Sequence, residues 1–310
     1  MEAIPVLVIV GPTASGKSAL AVKMAKERGG EIISADSRQV YKGLDIGSGK
    51  ITKREMRGVP HHLLDVVSPK KVFTAHAFVQ LGRQAIEDIH VRGKLPIICG
   101  GTGFYIDALL GHTTLAQVER NEAVRKKLST KSAAQLFTLL KEKDSARAAA
   151  MDTPSERNNK SRLIRALEIA YTTKTPAKVA PRRTAYKTEW IGTDWPDEVL
   201  RKRIHDRLAA RMKAGMMAEV RSLHAQGLSW KRMEALGLEY RYLSRLARDI
   251  LSKADALVQL ENEIWHYAKR QRTWWKKNKE IQWITPTSTN PTPQQRGLKV
   301  SRRAGGSVNR

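Results

Sequence analysis

Two patterns of apolar and polar positions take turns over the first 110 residues. Short apolar runs without alternation are typical of strands buried on both faces. Such runs occupy residues 6–10, 31–35, 63–67 and the segment LPIIC. Between them lie segments with helical spacing, namely 17–28 and the stretch with Ala77, Leu81, Ala85, Ile86 and Ile89. Strands that alternate with helices predict an α/β fold with a doubly wound parallel sheet.

The pattern changes near residue 115. Residues 115–175 have helical periodicity with basic faces, and a short strand is predicted at Trp190–Gly192 before helices resume. After the segment IQWI the chain is rich in Pro, Thr, Ser, Gly and Arg, a composition that predicts a flexible tail. We therefore predict an α/β core of residues 1–114 and 191–285. An all-helical insertion domain at 115–190 would interrupt this core, and a basic tail at 286–310 would follow it.

The charge of the chain indicates a polyanionic partner. The 310 residues include 56 Lys and Arg against 30 Asp and Glu, a net charge of +26. The excess is concentrated in residues 115–190, with 17 basic and 8 acidic residues, and in 266–310, with 11 and 1. Nucleic acid is the first candidate partner. We expect the strip of Arg182, Arg183 and Lys187 to follow phosphates.

Composition also limits the location of the protein. The 41% hydrophobic content supports a sizeable core, but no apolar run reaches the roughly 18 residues of a membrane span. Because the first residues pass directly into a predicted strand, we expect no leader peptide. Cys99 alone provides a thiol, within an apolar run, and is expected to be buried. We expect a cytoplasmic protein that has no contact with membranes.

The segment GPTASGKS fits the pattern G-x-x-x-x-G-K-[ST] of a phosphate-binding loop (P-loop) between a strand and a helix. Its backbone N–H groups and the helix N-terminus can hold phosphate oxygens. Lys17 would add a point charge, and the Ser18 hydroxyl can ligate Mg²⁺. The expected phosphate-binding residues are Gly11, Pro12, Thr13, Ala14, Ser15, Gly16, Lys17 and Ser18.

Two further turns follow predicted strands, where ligands of such sheets collect. Asp36, in SADSRQVY, is a candidate general base or a water-mediated Mg²⁺ ligand, although a helix N-cap explains it equally well. Thr102, in CGGTGFY, offers a hydroxyl after two glycines that permit close backbone approach. Glycines also occur in strand-to-helix turns simply because the backbone geometry requires them, so CGGTGFY is a weak indication of a ligand site.

Three basic or histidine-containing segments have both structural and functional interpretations. Arg203 and Arg207 lie four residues apart on one helix face and can clamp an oxyanion or form a solvated surface. The segment YAKRQRTWWKK mixes bases and aromatics, which suits RNA or an amphipathic core helix. Because Trp274 and Trp275 are adjacent, one of them should face the core. His61 and His62 would point to opposite faces of a strand and do not suggest a metal site.

Taken in order, these segments resemble the tRNA dimethylallyltransferases, also called tRNA isopentenyltransferases. The resemblance extends over residues 6–284 and includes GPTASGKS, ISADSRQVYKGLDIGSGK, VPHHLLDVVSP, GKLPIICGGTGFYIDALL, RLIRALEI, RIHDRLAARMKAGMMAEVRSL and YAKRQRTWWKK. It implies transfer of the dimethylallyl group from dimethylallyl diphosphate to the N6 amine of adenosine 37, beside the anticodon of tRNA. The P-loop would then hold a diphosphate leaving group, with Mg²⁺ as cofactor, in a monomeric enzyme.

The resemblance also implies residue roles. Asp36 would be the base, with Lys17, Thr102 and Arg203 as the other catalytic residues and Arg207 as the alternative diphosphate arginine. The insertion would clasp the anticodon arm. The implied tRNA-binding residues are Asp36, Ser37, Arg38, Gln39, Thr102, Asn159, Lys160, Ser161, Arg162, Arg165, Tyr240 and Arg241.

The chain departs from the family pattern at two places. Asn159 stands where the family often has Asp, and Leu238-Glu239 separate Gly237 from Tyr240-Arg241 where a Gly-Tyr-Arg is usual. These departures leave the contact roles of Asn159 and residues 237–241 open. The alternatives are an enzyme that prenylates free adenine nucleotides, a P-loop kinase of a small metabolite, and a non-catalytic RNA-binding ATPase module. The first would not need the basic insertion and tail.

Overall fold

The computed structural model describes residues 3–116, 118–172 and 186–286. Arg182, Arg183 and all of the predicted tail except Pro286 lie outside these residues. Contacts divide the chain into two compact units, one of residues 1–109 and 185–310 and one of residues 110–184. No helix within the described ranges is long and apolar enough to cross a membrane.

The first unit contains a parallel sheet that, in the described residues, has six strands. They are β1 (Ile4–Val10), β2 (Gly30–Ser34), β3 (His61–His62), β4 (Leu95–Cys99), β5 (Tyr186–Thr193) and β6 (Gln282–Ile284). Their order in the sheet is β3-β2-β4-β1-β5-β6. The predicted parallel α/β sheet is confirmed, and the apolar run of β1 is buried, as expected for a central parallel strand whose two faces are covered.

The register of the sheet aligns the carboxyl ends of the central strands. Ile9 of β1 pairs with Cys99 of β4, and Cys99 pairs in turn with Ser34 of β2. The three segments that follow these strands therefore leave the sheet at one edge. This edge collects the P-loop, the turn after Ala35 and the glycine-rich turn after Cys99.

Two predicted boundaries differ from the structure. The strand predicted at 63–67 is absent, because Leu63 (φ 63°) and Asp65 (φ 55°) adopt left-handed backbone conformations that interrupt an extended chain. Within the described residues, the segment 63–67 forms one isolated β-bridge, between Tyr41 and Val67. Strand β5 begins at Tyr186 rather than at Trp190, so residues 186–190 of the predicted helical insertion belong to the sheet.

The helices of the first half of the chain are α1 (Lys17–Arg28), α2 (Lys53–Met56), α3 (Ala75–Val91) and α4 (Gly103–Leu109). Helix α1 has the predicted bounds because Gly16 and Gly29, both in left-handed conformations, flank it. Helix α3 begins where the Thr74 hydroxyl accepts a hydrogen bond from the Ala77 amide.

The second unit is helical in its described residues. It contains α5 (Glu122–Ser129), α6 (Ala133–Lys143), α7 (Ser145–Ala150), α8 (Pro154–Arg157) and α9 (Lys160–Thr172). Leu128, Leu136, Leu140, Leu163 and Leu167 form its core. Ser132 and Gln135 form a reciprocal capping box at the start of α6, which explains why the helix begins there.

The remaining helices return to the first unit as α10 (Asp197–Lys213), α11 (Met216–Ala225), α12 (Trp230–Leu236), α13 (Leu238–Leu246) and α14 (Lys253–Trp275). Helices α10 and α11 are separate because the chain turns at Gly215, whose φ of 99° is unfavourable for other residues. Ile204, Leu208, Tyr240, Leu260 and Ile264 are among the side chains that pack these helices together.

Candidate active site

The P-loop joins β1 to α1 and is anchored on its outer side by β5. A Cβ at Gly11 (φ 149°) would lie 2.4 Å from the Thr193 carbonyl oxygen, so only glycine fits. The Ser15 Oγ and Thr193 Oγ1 atoms are 2.6 Å apart, and the Trp195 indole donates to the Ser15 carbonyl at 3.0 Å. Ser15 is fully buried, so its side chain shapes the loop and does not face a ligand.

Lys17 and Ser18 stand at the start of α1. The Lys17 ammonium donates to the Pro12 carbonyl oxygen at 3.2 Å, within its own loop. Burial is the main reason why the pKa of Lys17 lies below its ordinary value, and the nearby Arg207 adds to this. The Ser18 hydroxyl bonds to the Cys99 thiol, whose pKa burial raises to about 11. Cys99 is buried, as expected, and is a poor nucleophile.

Asp36 begins the turn that follows β2. Its Oδ1 accepts hydrogen bonds from the Arg38 amide at 2.8 Å and the Gln39 amide at 3.4 Å. The capped element is a turn at residues 37–40, not the helix that the capping interpretation expected. No hydrogen bond from the described residues engages Oδ2. One carboxylate oxygen therefore holds the turn while the other remains for a ligand or a proton.

The turn after β4 lies directly against the Asp36 turn. A Cβ at Gly100 would come within 2.2 Å of the Ala35 carbonyl oxygen, and the Thr102 amide donates to that same oxygen at 3.2 Å. The Ser37 amide donates to Thr102 Oγ1 at 3.1 Å. The structure thus brings Asp36 and Thr102, predicted separately from two loops, to neighbouring positions.

Arg203 and Arg207 reach the P-loop from successive turns of α10. The Arg203 Nε donates to the Ala14 carbonyl oxygen at 2.8 Å, and the guanidinium stacks on the Trp195 ring. The Arg207 guanidinium donates to Thr13 Oγ1 at 3.3 Å and to the Gly49 carbonyl oxygen at 3.2 Å. Burial, and then Arg211, lower the pKa of Arg207. Arg203 is exposed at the outer side of the loop, and Arg207 lies deeper.

Three residues of α14 complete the site, and although they lie in the segment YAKRQRTWWKK, the sequence analysis did not assign them to it. The Gln271 side chain bonds both the Thr13 amide and the Gly101 carbonyl oxygen. Tyr267 shares a hydrogen bond with the Thr102 hydroxyl, and burial raises its pKa to about 12. The Trp274 indole donates to Asp107 Oδ2 at 2.9 Å, while Trp275 is buried, so one tryptophan does face the core as predicted. Tyr267, Gln271 and Trp274 are spaced by four and three residues, which puts them on one face of the helix. This spacing is the sequence signal that could have identified them.

The expected RNA-contacting residues near the site have diverse positions. Ser37, Arg38 and Gln39 are half-buried on the Asp36 turn, and the Gln39 side-chain Nε2 donates to the Gly49 carbonyl oxygen at 3.3 Å. Tyr240 is 1% exposed, and its hydroxyl donates to Glu219, which also accepts from the amides of residues 45–47. This burial leaves Tyr240 no surface for RNA. Arg241 Nε donates to the Glu234 carbonyl oxygen.

The remaining expected RNA contacts cluster at the start of α9 in the helical unit. Asn159 caps the helix by accepting from the Arg162 amide at 3.2 Å. Lys160 donates to the Ser129 carbonyl oxygen, and Arg162 pairs with Glu156. Lys160, Ser161 and Arg162 are exposed, whereas Arg165 is half-buried and bonds Glu168 and the Val118 carbonyl oxygen. Arg165 therefore helps to hold the helical unit together.

The histidine pair forms no metal site. His61 contacts the Val59 carbonyl oxygen, and His62 bonds Glu31, which also pairs with Arg92. Across the described ranges, no group of three or more His, Cys, Asp or Glu side chains is placed to hold a metal ion. Oxygen donors at the P-loop edge, the exposed Ser18 hydroxyl and Asp36 Oδ2, are the kind that Mg²⁺ prefers.

Comparison with known proteins connects this geometry to a family. The model of the family described as IPP transferase matches residues 39–278. A tRNA dimethylallyltransferase 2 from Treponema denticola is 42% identical over 287 residues, covering 90% of this chain and 95% of that protein. A tRNA dimethylallyltransferase from Leuconostoc citreum is 42% identical over 270 residues, covering 87% and 89%.

Solved structures agree with the sequence relatives. The full-length tRNA isopentenylpyrophosphate transferase from Bacillus halodurans is 34% identical, with a TM-score of 0.67 and coverage of 90% of this chain and 89% of that one. A eukaryotic dimethylallyltransferase acting on tRNA is 26% identical, with a TM-score of 0.77 and coverage of 91% and 73%. The chain belongs to the IPP transferase family.

Proposed function

We propose that this protein transfers the dimethylallyl group of dimethylallyl diphosphate to the N6 amine of adenosine 37 in tRNA. The observation that carries the proposal is the juxtaposition of a P-loop with the Asp36 and Thr102 turns at one sheet edge. The allylic C1–O bond breaks, a new C1–N6 bond forms, diphosphate leaves, and the N6 proton passes to a base. The P-loop supplies the leaving-group half of the site, and the two turns supply the acceptor half.

The leaving-group half is suited to a diphosphate. The amides at the start of α1, the Lys17 ammonium and an arginine from α10 offer preorganised positive charge where the leaving oxygens gain negative charge. Arg203 is our first choice for this arginine because its guanidinium lies beside Gly16, and Arg207 is the alternative through its contact with Thr13. Lysine at position 203 or 207 keeps the positive charge but loses the two-pronged guanidinium geometry. The substitution that raises the KM for dimethylallyl diphosphate more therefore identifies the arginine that binds the diphosphate.

The donor set at this edge fits Mg²⁺. The Ser18 hydroxyl would be a direct hard oxygen ligand, and Asp36 would contact the ion through water. Bound there, Mg²⁺ would neutralise charge on the departing diphosphate. Its removal by a chelator should abolish turnover, and its return should restore it.

The acceptor half must extract a proton from a poor nucleophile. The N6 lone pair of adenosine is delocalised into the ring, so attack benefits from a base that accepts the proton as the bond forms. Asp36 Oδ2 would accept this proton, and what supports the assignment is that Oδ1 alone holds the turn in the described residues. Thr102 lies beside it and orients the acceptor through its hydroxyl. The target base must leave its stack to reach a site at this depth.

The charge of the chain supports tRNA as acceptor. Lys160, Ser161 and Arg162 offer exposed polar groups in a helical unit whose sequence carries an excess of basic residues. We assign phosphate contact to Lys160 and Arg162, and contact with the flipped base or its neighbours to Ser37, Arg38 and Gln39. Every catalytic side chain of the proposal comes from one chain, so a monomer suffices.

One incubation tests the proposal. The protein is mixed with Mg²⁺, dimethylallyl diphosphate and unmodified tRNA, and the digested nucleosides are weighed by mass spectrometry. We expect adenosine to gain the mass of one dimethylallyl group at a single position. AMP in place of tRNA tests the free-nucleotide alternative, and labelled ATP with small acceptors tests the kinase. Product from AMP but not from tRNA would overturn the proposal.

A further inference from the structure

Gln271 of α14 joins the two halves of the proposed site through its side-chain amide. Its Oε1 accepts a hydrogen bond from the Thr13 amide at 2.8 Å, and its Nε2 donates to the Gly101 carbonyl oxygen at 2.9 Å. The residue is 5% exposed. Because this buried amide bonds one loop through each of its polar ends, it connects the two loops directly.

Both loops and the helix are built around this amide. A Cβ at Gly101 would lie 2.1 Å from the Gln271 Nε2, so the glycine makes room for the contact. One turn earlier, Tyr267 bonds the Thr102 hydroxyl. One residue later, Arg272 fixes the helix to the end of β5 through Asp194 at 2.9 Å and to α10 through Asp197 at 2.5 Å. Gln271 thus projects from a helix that is held on both sides.

The two partners of Gln271 belong to different chemical tasks. Thr13 is part of the P-loop, and its hydroxyl accepts from Arg207. Gly101 precedes Thr102, which holds the Asp36 turn through the Ser37 amide. We propose that Gln271 is a positioning residue that sets the spacing between the diphosphate and the acceptor base. This inference rests on the proposed function, because only a transfer between two bound groups needs that spacing.

The chemistry of the amide gives a direct way to test this role. Thr13 requires an acceptor and Gly101 requires a donor, and glutamine supplies both. Gln271→Met keeps the length and removes both hydrogen bonds. Gln271→Glu keeps the acceptor but places a carboxylate oxygen against the Gly101 carbonyl oxygen. That contact and burial raise the pKa of the introduced carboxyl, so protonation at low pH recreates a donor.

Activity is measured as the single-turnover rate with tRNA and dimethylallyl diphosphate saturating. We expect Gln271→Met to lower this rate about 10- to 100-fold, the usual cost of a misplacement near 1 Å, with a smaller change in KM. We expect the rate of Gln271→Glu relative to wild type to rise as pH falls from 8 to 5.5. Gln259→Glu, at an exposed position of the same helix, is the matched control and should keep a constant ratio.

Other titratable groups face this region and are shared by all variants. They are Tyr267 of α14, Lys17 beside Pro12, Arg207 at Thr13 and Asp36 on the neighbouring turn. Division by the wild-type rate at each pH removes their contribution. A flat Gln271→Glu ratio, or a folded Gln271→Met protein with the wild-type rate, overturns the proposal.

Hydrogen exchange provides a readout that does not depend on the reaction. Peptides that cover residues 11–18 and 100–105 should exchange faster in Gln271→Met than in wild type, because the Thr13 amide loses its acceptor. Unchanged hydrogen exchange in these peptides overturns the positioning role of Gln271 even if the activity of the variant falls. If wild type makes no prenylated tRNA, the proposed function fails while the exchange experiment still tests the contact. If the Met variant does not fold, the pH dependence of the Glu variant decides.

Discussion

Positive charge is used in opposite ways by the edge of the sheet and by the helical unit. At the sheet edge, Lys17, Arg203 and Arg207 donate to backbone and hydroxyl oxygens of the P-loop, and no ion pair with a carboxylate is formed by these three in the described residues. In the helical unit, Arg125 and Arg165 hold the buried Glu168, and Arg162 pairs with Glu156.

The difference separates charge that is ready for a ligand from charge that maintains a fold. A cation that donates to neutral oxygens exchanges them for an anion at little electrostatic cost. A cation paired with a buried carboxylate cannot leave without stranding that carboxylate. Net charge per residue, which is higher in the insertion than in the core, does not distinguish these cases. The following changes test the distinction, from the largest expected effect to the smallest.

The Asp36 carboxylate offers the strongest test, because it is the base of the reaction, a ligand of Mg²⁺ through water, or only the cap of its turn. Asp36→Asn retains the acceptor for the Arg38 amide, so stability should hardly change. If Asp36 accepts the N6 proton, the single-turnover rate should fall about 100-fold or more with both substrates saturating.

Asp88→Asn, at an exposed position on α3, is the matched control for Asp36→Asn. Lost diphosphate affinity that returns at high Mg²⁺ would assign Asp36 to the metal. A wild-type single-turnover rate in Asp36→Asn would show that Asp36 is not the general base.

Lys17 tests whether charge without a carboxylate partner serves catalysis. Lys17→Met removes a charge that stabilises the leaving group, and the loss should be about 2–4 kcal/mol of transition-state stabilisation by analogy with other oxyanion sites. Chemical quench measures the rate, and thermal unfolding should show that the fold survives. A folded variant with normal turnover would mean that the loop does not hold the diphosphate.

The lowered pKa of Lys17 adds a pH signature to that test. Since burial favours the neutral amine, the ammonium loses its proton as pH rises through a value below 10.5. The wild-type rate should therefore decline on the alkaline side, and the Met variant should lack this decline. The plot of log kcat against pH for the two proteins makes the comparison.

Glu168 tests the opposite use of charge in the helical unit. The residue is 1% exposed, and its two oxygens accept from Arg125 at 2.8 and 2.7 Å and from the Asn121 amide at 3.0 Å. Glu168→Gln should lower the free energy of unfolding by about 1–3 kcal/mol, because the replacement amide cannot accept these bonds with both ends. The single-turnover rate should be preserved under conditions where the variant is folded.

Acid should reproduce this loss in wild type. Burial alone raises the pKa of the Glu168 carboxyl, but the hydrogen bonds from Arg125 and the Asn121 amide outweigh it and leave the pKa below 4.5. The stabilisation is therefore complete above that value and is lost as pH falls through the folded-state pKa. Denaturant titrations from pH 6 to 3 should show a smaller decline for Glu168→Gln than for wild type.

The smallest effect is expected at the exposed start of α9. Lys160→Gln should weaken tRNA binding a few-fold and reduce the slope of log affinity against log salt by roughly one, the share of a single phosphate contact. Saturating turnover should stay unchanged. Lys253→Gln, an exposed lysine in the α/β unit, is the control. Equal salt slopes for wild type and the Lys160 variant would remove this phosphate contact.

The sequence alone determined the sheet edge and its first residues. The P-loop pattern predicted both the loop and the bounds of α1, because glycine conformations at 16 and 29 are encoded locally. Apolar runs predicted the parallel strands, and their carboxyl ends located Asp36 and Thr102. The strand predicted at 63–67 was wrong because apolar composition does not report the left-handed backbone of Leu63 and Asp65.

Tertiary structure decided what the distant helices contribute. Gln271 is 258 residues away from Thr13, so no local pattern connects the two, and only the packing of α14 brings them within 2.8 Å. The packing of α13 against α11 buries Tyr240, which the family resemblance suggested as an RNA contact, against Glu219. Local backbone conformation follows from the residues nearby in the chain. The partner that satisfies a buried polar group depends on which segments the fold places beside it.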